Sequence, residues 1–244
     1  MTAVLLCCLF AAGYASGNRT DLFWWGLMAA FPLYAVTRTA IVAAGLTLPL
    51  TFAPLSLRKR IVIIFLVLVV GLALFYTPRM QHKMFYSGKG ELTDIFKKGS
   101  SKKSRTNVFT GDFTDSGRDS MWNAMRRRIV QKPWFGYGTG AGESFIKKIT
   151  GGLAYPHNDW LLTLHDQGVF GTTVYALCLV MAMLHALRKA KRTSGEIRLL
   201  FLAGASSFIP FVLIMFTDNI MVYASYYGNL QFTILGLAYA AEKG

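Results

Sequence analysis

Two apolar runs, Ile61 to Thr77 (IVIIFLVLVVGLALFYT) and Val169 to Leu187 (VFGTTVYALCLVMAMLHAL), contain no Asp, Glu, Lys or Arg. A helix of roughly 17–25 mostly apolar residues crosses a hydrocarbon core of about 30 Å, and both runs are that long. Lipid offers the backbone no hydrogen-bond partners, so runs of this kind can only be helices. Leu22 to Val36, Thr39 to Leu57, Leu199 to Phe216 and Val222 to Ala241 repeat the pattern, and Thr2 to Ala15 is a shorter version of it. Charged residues make up 16% of the chain, against about 25% in soluble domains, which agrees with this pattern. The expected fold is all-α: a multi-pass transmembrane helical protein with about six to seven membrane helices and one large extracytoplasmic loop containing short helices.

The formal charge of +14 would suit a nucleic-acid binder. Its placement does not. Arg58-Lys59-Arg60 precedes one apolar run, and Arg188, Lys189, Lys191, Arg192 and Arg198 follow another. Short cytoplasmic loops collect Lys and Arg in this way. With both clusters inside, Ile61–Thr77 runs outward and Val169–Leu187 runs inward, and Arg19 and Lys243 also fall inside. The expected organisation is N-terminal membrane helices over 1–77, an outer loop carrying the candidate active site over 78–168, and C-terminal membrane helices over 169–244. Thr2 to Ser16 lacks the basic start of a secretory signal and reads as a membrane segment, short as in a chain whose earlier helices are missing. Cys7, Cys8 and Cys178 all lie in apolar runs, so the spacing offers neither a disulfide framework nor a metal site.

Between Arg79 and Lys148 there are fifteen Lys and Arg against six Asp and Glu, a net of +9. Long loops translocate largely regardless of charge, so this agrees with an outer location. It favours anionic company, with the phosphates of lipid-linked substrates or of the lipid surface the candidates. The run from Lys97 to Arg105 (KKGSSKKSR) reads as a solvated flexible tether.

From Ser116 the chain regains helix signals. Ser116-Gly117-Arg118-Asp119 has capping-box form and Pro133 marks the helix end. At 100° per residue Met121, Trp122, Met125 and Ile129 share an apolar stripe with Arg118 in its middle, whereas Arg126 and Arg127 fall off it. Arg118 is therefore expected to point inward, toward an ion-pair partner or a ligand. Gly136-Tyr-Gly138-Thr-Gly140-Ala-Gly142 follows no strand and departs from the dinucleotide fingerprint, so it reads as a tight turn letting backbone approach a neighbouring helix or a phosphate. Pro156-His157-Asn158-Asp159 opens the next helix, with Asn158 or Asp159 as N-cap and Gly168 as its stop. His157 would stand at a helix N-terminus, where the positive end of the dipole disfavours imidazolium and keeps the ring able to accept a proton. His82, His165 and His185 have weaker contexts. Arg38, in AVTRTAIVA, is placed at the outer hydrocarbon boundary because twenty residues, about 30 Å of helix, separate it from Arg58; it is either a snorkelling arginine or an anion ligand. Asp218-Asn219 falls in the outer turn between the last two helices, a pair that turns favour, on the same side as Arg38, Arg118 and His157.

Taken together, SGRDSMW, PWFGYGTG, PHNDWLLTLHDQGVFG followed by a membrane helix, and FTDN resemble the bacterial O-antigen ligase and polymerase superfamily, and TRTA resembles its upstream arginine motif. The likeness covers nearly the whole chain as the C-terminal part of a longer member, with an outer loop before Ser116 longer and more basic than the motifs require. The resemblance implies a metal-independent, cofactor-free glycosyltransferase of the bacterial inner membrane. It would take a glycan from undecaprenyl pyrophosphate on the periplasmic face and transfer it to a sugar hydroxyl of a glycolipid or glycan. By motif position Arg38 and Arg118 would bind the pyrophosphate and His157 would activate the acceptor, with Asn158, Asp218 and Asn219 in support. The residues suit that chemistry independently: an attacking hydroxyl needs a base, and a departing pyrophosphate needs cations. The alternative is a transporter or anion-binding membrane subunit. Transporters place ionisable groups near the bilayer midplane, whereas the charged candidates here cluster at the outer boundary.

Overall fold

The computed structural model describes residues 2–85, 89–95, 118–221 and 228–243, and all of its regular elements are helical. In chain order they are α1 (Thr2–Ala15), α2 (Thr20–Tyr34), α3 (Arg38–Thr47), α4 (Leu57–Phe75), α5 (Pro78–Met84), a 3-10 turn (Leu92–Ile95), α6 (Arg118–Ile129), α7 (Ala141–Thr150), α8 (Asp159–Arg192), α9 (Gly195–Met215) and α10 (Gly228–Lys243).

The centre of the bundle is α9, which packs against α8, α10, α1 and α3. Its most buried stretch, Phe201 to Phe208, is dominated by small residues (Ala203, Gly204, Ala205, Ser206, Ser207), and α3 meets it with Ala40, Ala43 and Ala44. Helix association in lipid depends on close backbone approach, and small side chains permit it. In α8 only 6% of the most apolar stretch is fully buried, against 61% in α9: one side of α8 packs Tyr175, Leu179, Met183 and Leu187 against the core, and the other exposes Phe170, Leu177 and Met181.

Among the described residues α8 and α9 are each long and apolar enough to cross a membrane, and α4 with α5, bent by 77° at Pro78, forms a third candidate. The chain is an integral membrane protein; these two or three spans stand beside the six to seven expected. The expected span from Thr39 to Leu57 is not one helix, because α3 ends at Thr47. Proline explains this: Pro49 and Pro54 have no N–H to donate to the helix ladder, and a proline ring inside a helix crowds the carbonyl four residues back. Three of the irregular carbonyls from 49 to 55 accept from Arg60, whose Nη1 donates to Pro49 O, Nη2 to Ala53 O (3.2 Å) and Nε to Leu55 O (3.2 Å). Ser206 Oγ accepts the Phe52 N–H at 3.0 Å. The 30 Å of continuous helix expected between Arg38 and Arg58 is thus absent.

Helix α8 is broken at Gly168, whose φ of 66° and ψ of −172° lie outside the helical region. The break separates a first segment, 159–167, from the apolar stretch 169–187 that forms the span. The expected stop at Gly168 is therefore a break after which the helix resumes. Pro133 does lie beyond the end of α6, at Ile129. The expected Ser116 cap and the Lys97–Arg105 tether lie outside the described residues.

Candidate active site

Helices α3, α6 and the start of α8 converge on the turn after α9, residues 216–221. The apolar stripe expected on α6 is present, with Met121 and Met125 buried and Trp122 and Ile129 packed beside them. Arg118 leaves this helix half-buried, and its Nη1 donates to the Thr217 carbonyl at 2.9 Å. Its buried Nε finds no acceptor among the described residues. Thr39, in the first turn of α3, shares a hydroxyl hydrogen bond of 2.9 Å with Thr217. Arg38 precedes it, half-buried. Burial, and then the charge of Arg118, lower the pKa of its guanidinium, so the two arginines lie within electrostatic reach of each other. Like charges held together out of bulk water repel, and an anion between them relieves that repulsion.

On the other side of the same turn lies His157. Its φ is 54°, a left-handed conformation that few non-glycine residues adopt. Directly after it Asn158 caps α8, accepting the Leu161 N–H at 2.9 Å, which settles the choice of N-cap. The indole N–H of Trp122 donates to Pro156 O at 2.7 Å and ties α6 to the approach to His157. His157 Nδ1 lies 3.4 Å from Asp218 Oδ1 and 3.2 Å from Asn219 Nδ2. Asp218 Oδ1 also accepts the Asn219 N–H at 2.9 Å. Burial would raise the Asp218 carboxyl, but the His157 hydrogen bond, the Asn219 N–H and the charges of His157 and Arg118 outweigh it and hold the carboxyl below its ordinary range. The described polar contacts of the His157 ring are all at Nδ1, and Nε2 makes none among the described residues.

Asp159, read from sequence only as a possible cap, is fully buried outside the span. Its Oδ2 accepts the Met221 N–H at 2.8 Å, and its Oδ1 has no partner among the described residues. Burial pushes its carboxyl up to about 6, against the opposing Met221 N–H. Asp159 therefore ties the 218–221 turn to the start of α8, two residues after His157. Acidic residues are common in the first turn of helices, so only burial distinguishes this one. Thr39 and Thr217 carry no sequence signal for the contacts they make.

The glycine loop serves a different purpose. Gly140 N and Gly142 N donate to the two carboxylate oxygens of Asp166 at 2.8 and 2.7 Å, and Gly138 N donates to the Asp166 carbonyl at 2.8 Å. These N–H groups are engaged by the protein's own carboxylate, so of the two options left by the sequence the loop takes the approach to a helix. A Cβ at Gly136 would lie 2.5 Å from the Asp166 carbonyl. His165, beside it, is fully buried, bonds Asp166 Oδ1 through Nδ1 at 2.7 Å and stacks on Tyr137 and Phe145. Arg128 lies over both of those rings at 4.2 and 4.4 Å, whereas Arg126 and Arg127 are exposed, as their place off the stripe predicts.

A sequence model of the O-antigen ligase family matches residues 23–176, more than half of the chain. The chain belongs to the O-antigen ligase family. No curated protein matches the chain, and no solved structure does. Family membership makes it a membrane glycosyltransferase of the ligase and polymerase type, acting on lipid-linked glycans. The matched region contains Arg38, Arg118 and His157. Asp218 and Asn219 lie beyond it, brought to the O-antigen ligase region by the fold.

Proposed function

We propose that this protein transfers a glycan from undecaprenyl pyrophosphate to a sugar hydroxyl on the periplasmic face of the inner membrane, with the 78–168 region facing the periplasm. One observation carries the reading: a histidine–carboxylate pair and two arginines meet around a single turn, Thr217–Asn219. In the proposed step His157 Nε2 takes the proton of the acceptor hydroxyl as its oxygen bonds the anomeric carbon of the donor sugar. The bond from that carbon to the pyrophosphate oxygen breaks, and the electron pair leaves with the lipid pyrophosphate. Asp218 accepts Nδ1–H and stabilises the imidazolium that forms, with the Asn219 amide turned so that its otherwise unpartnered oxygen faces Nδ1, while Arg38 and Arg118 neutralise the leaving group. The proposed steps run through side chains without a metal.

The test is reconstitution. Purified protein in vesicles, given a pyrophosphate-linked glycan lipid and a glycolipid acceptor, should release lipid pyrophosphate in step with new glycosidic bonds. Transport of the glycan lipid across the vesicle without bond formation would refute the reading. Ligase and polymerase differ in acceptor, and polysaccharide from a deletion strain separates them. Chains of one repeat unit identify a polymerase, and full-length chains missing from the lipid anchor identify a ligase.

A further inference from the structure

The segment between α6 and α7 presents a group of apolar side chains that the active site does not use. Val130 is 78% exposed, Trp134 68% and Phe135 76%. In a soluble protein such a cluster would mark a protein interface. Here its position along the span decides otherwise.

At Gly168 the helical ladder is interrupted, and the freed N–H groups of Val169 and Phe170 donate to the carbonyls of Pro133 (2.8 Å) and Trp134 (3.1 Å). The Phe135 ring lies 5.9 Å from that of Phe170, itself 62% exposed. Segment 133–135 is thus bonded to the first two residues of the spanning stretch. From Val169 to Leu187 that stretch rises about 28 Å, close to the thickness of the hydrocarbon core, and it ends at Arg188, Lys189, Lys191 and Arg192. With that cluster in the headgroups of one leaflet, Val169 and Phe170 lie at the hydrocarbon boundary of the other. Trp134 and Phe135 share their depth. Exposed Lys132, Arg126 and Arg127 stand next to them in the chain, the combination of aromatic and basic groups that the headgroup region accommodates.

We propose that Val130, Trp134 and Phe135 form a membrane anchor that inserts into the interfacial layer of phospholipid, continuous with the lipid-facing surface of α8, with the neighbouring cations meeting the headgroup phosphates. The anchor holds the glycine loop, clamped to Asp166, and through it the segment carrying His157, at the depth of lipid phosphates. It depends on the α8 span and on no step of the transfer chemistry.

Depth is measured by nitroxide labelling in phosphatidylcholine–phosphatidylglycerol vesicles, from collision with oxygen and with a water-soluble nickel chelate. In a background without Cys7 and Cys8, retained Cys178 gives the bilayer reference. With Cys178 also replaced, Ser194→Cys gives the aqueous reference and Phe135→Cys and Trp134→Cys report the anchor. The expected result is an oxygen-to-nickel ratio for both anchor labels between the two references. A ratio equal to that of Ser194→Cys, or protection from both reagents as under a covering protein, would overturn the proposal. Repeating the Phe135→Cys measurement with Trp134→Asp and Val130→Asp should move the label toward water; an unchanged ratio would show that these side chains anchor nothing.

Discussion

Gly168→Ala should be among the most damaging single substitutions in the chain, although it adds one methyl group. The backbone there (φ 66°, ψ −172°) lies in a region essentially reserved for glycine, and forcing another residue into it costs of order 1–3 kcal/mol. The added Cβ would stand 2.4 Å from both the carbonyl carbon and oxygen of Trp134. Those are backbone atoms that cannot rotate away, and relieving the clash by moving the 133–135 segment weakens the bonds from Val169 and Phe170. Overpacking of this kind adds about 1–3 kcal/mol, for a total of roughly 2–6 kcal/mol. For a domain of this size that corresponds to a fall of about 4–24 °C in Tm, read by thermal unfolding in a mild detergent. Gly71→Ala is the control: in α4 a Cβ there meets nothing within 4 Å, so no fall is expected. Equal Tm values for Gly168→Ala and Gly71→Ala would refute the argument that loop and helix are held together at this contact.

Arg118→Ala should weaken donor binding as well as turnover, since a charge-assisted phosphate contact acts in the ground state and strengthens in the transition state; Lys at 118 should rescue only in part, and Arg126→Ala should be nearly silent in donor-binding and transfer assays. Asp159→Asn removes a carboxyl whose pKa is raised to about 6, by burial first, from an ordinary 3.8. Between those values the native state holds a proton that the unfolded state has lost, so the wild type should lose stability relative to the variant as pH rises from about 4 to 6 and level off above; a difference in Tm that is constant from pH 4 to 8 would contradict this. For topology, single cysteines at positions 101 and 194 in a background lacking the native three should differ, Ser101→Cys reacting with an impermeant reagent in intact cells and Ser194→Cys not; the reverse would place the site on the cytoplasmic face.

Much of this was legible in the sequence wherever the signal is local and periodic. The stripe of Met121 and Met125 and the outward turn of Arg126 and Arg127 follow from helical spacing over a dozen residues, whereas the sequence left the cap of α8 open between Asn158 and Asp159 and the structure decides for Asn158. The length of α3 was obscured because hydropathy alone ignores what Pro49 and Pro54 do to the backbone. The purpose of the glycine loop was half legible: its tightness shows in the glycines, but its partner, Asp166, sits on the next helix amid residues that could equally face solvent. Least visible was the junction at Thr217. Its bonds to Thr39, to Arg118 and, through Asp218, to His157 span 178, 99 and 61 residues of chain, and no periodicity connects positions so far apart. Arg38, Arg118 and His157 could be named from motifs, but that the fold gathers them around one turn could not.

The central claim is that His157 acts as the base in glycan transfer, and single-turnover transfer by His157→Ala tests it most directly. With donor saturating and folding verified by an unchanged Tm, the transfer rate is expected to fall by roughly 10²–10⁴, the usual worth of a positioned general base, with donor affinity little altered. Transfer at the wild-type rate by the folded variant would contradict it and leave His157 a structural residue at the start of α8.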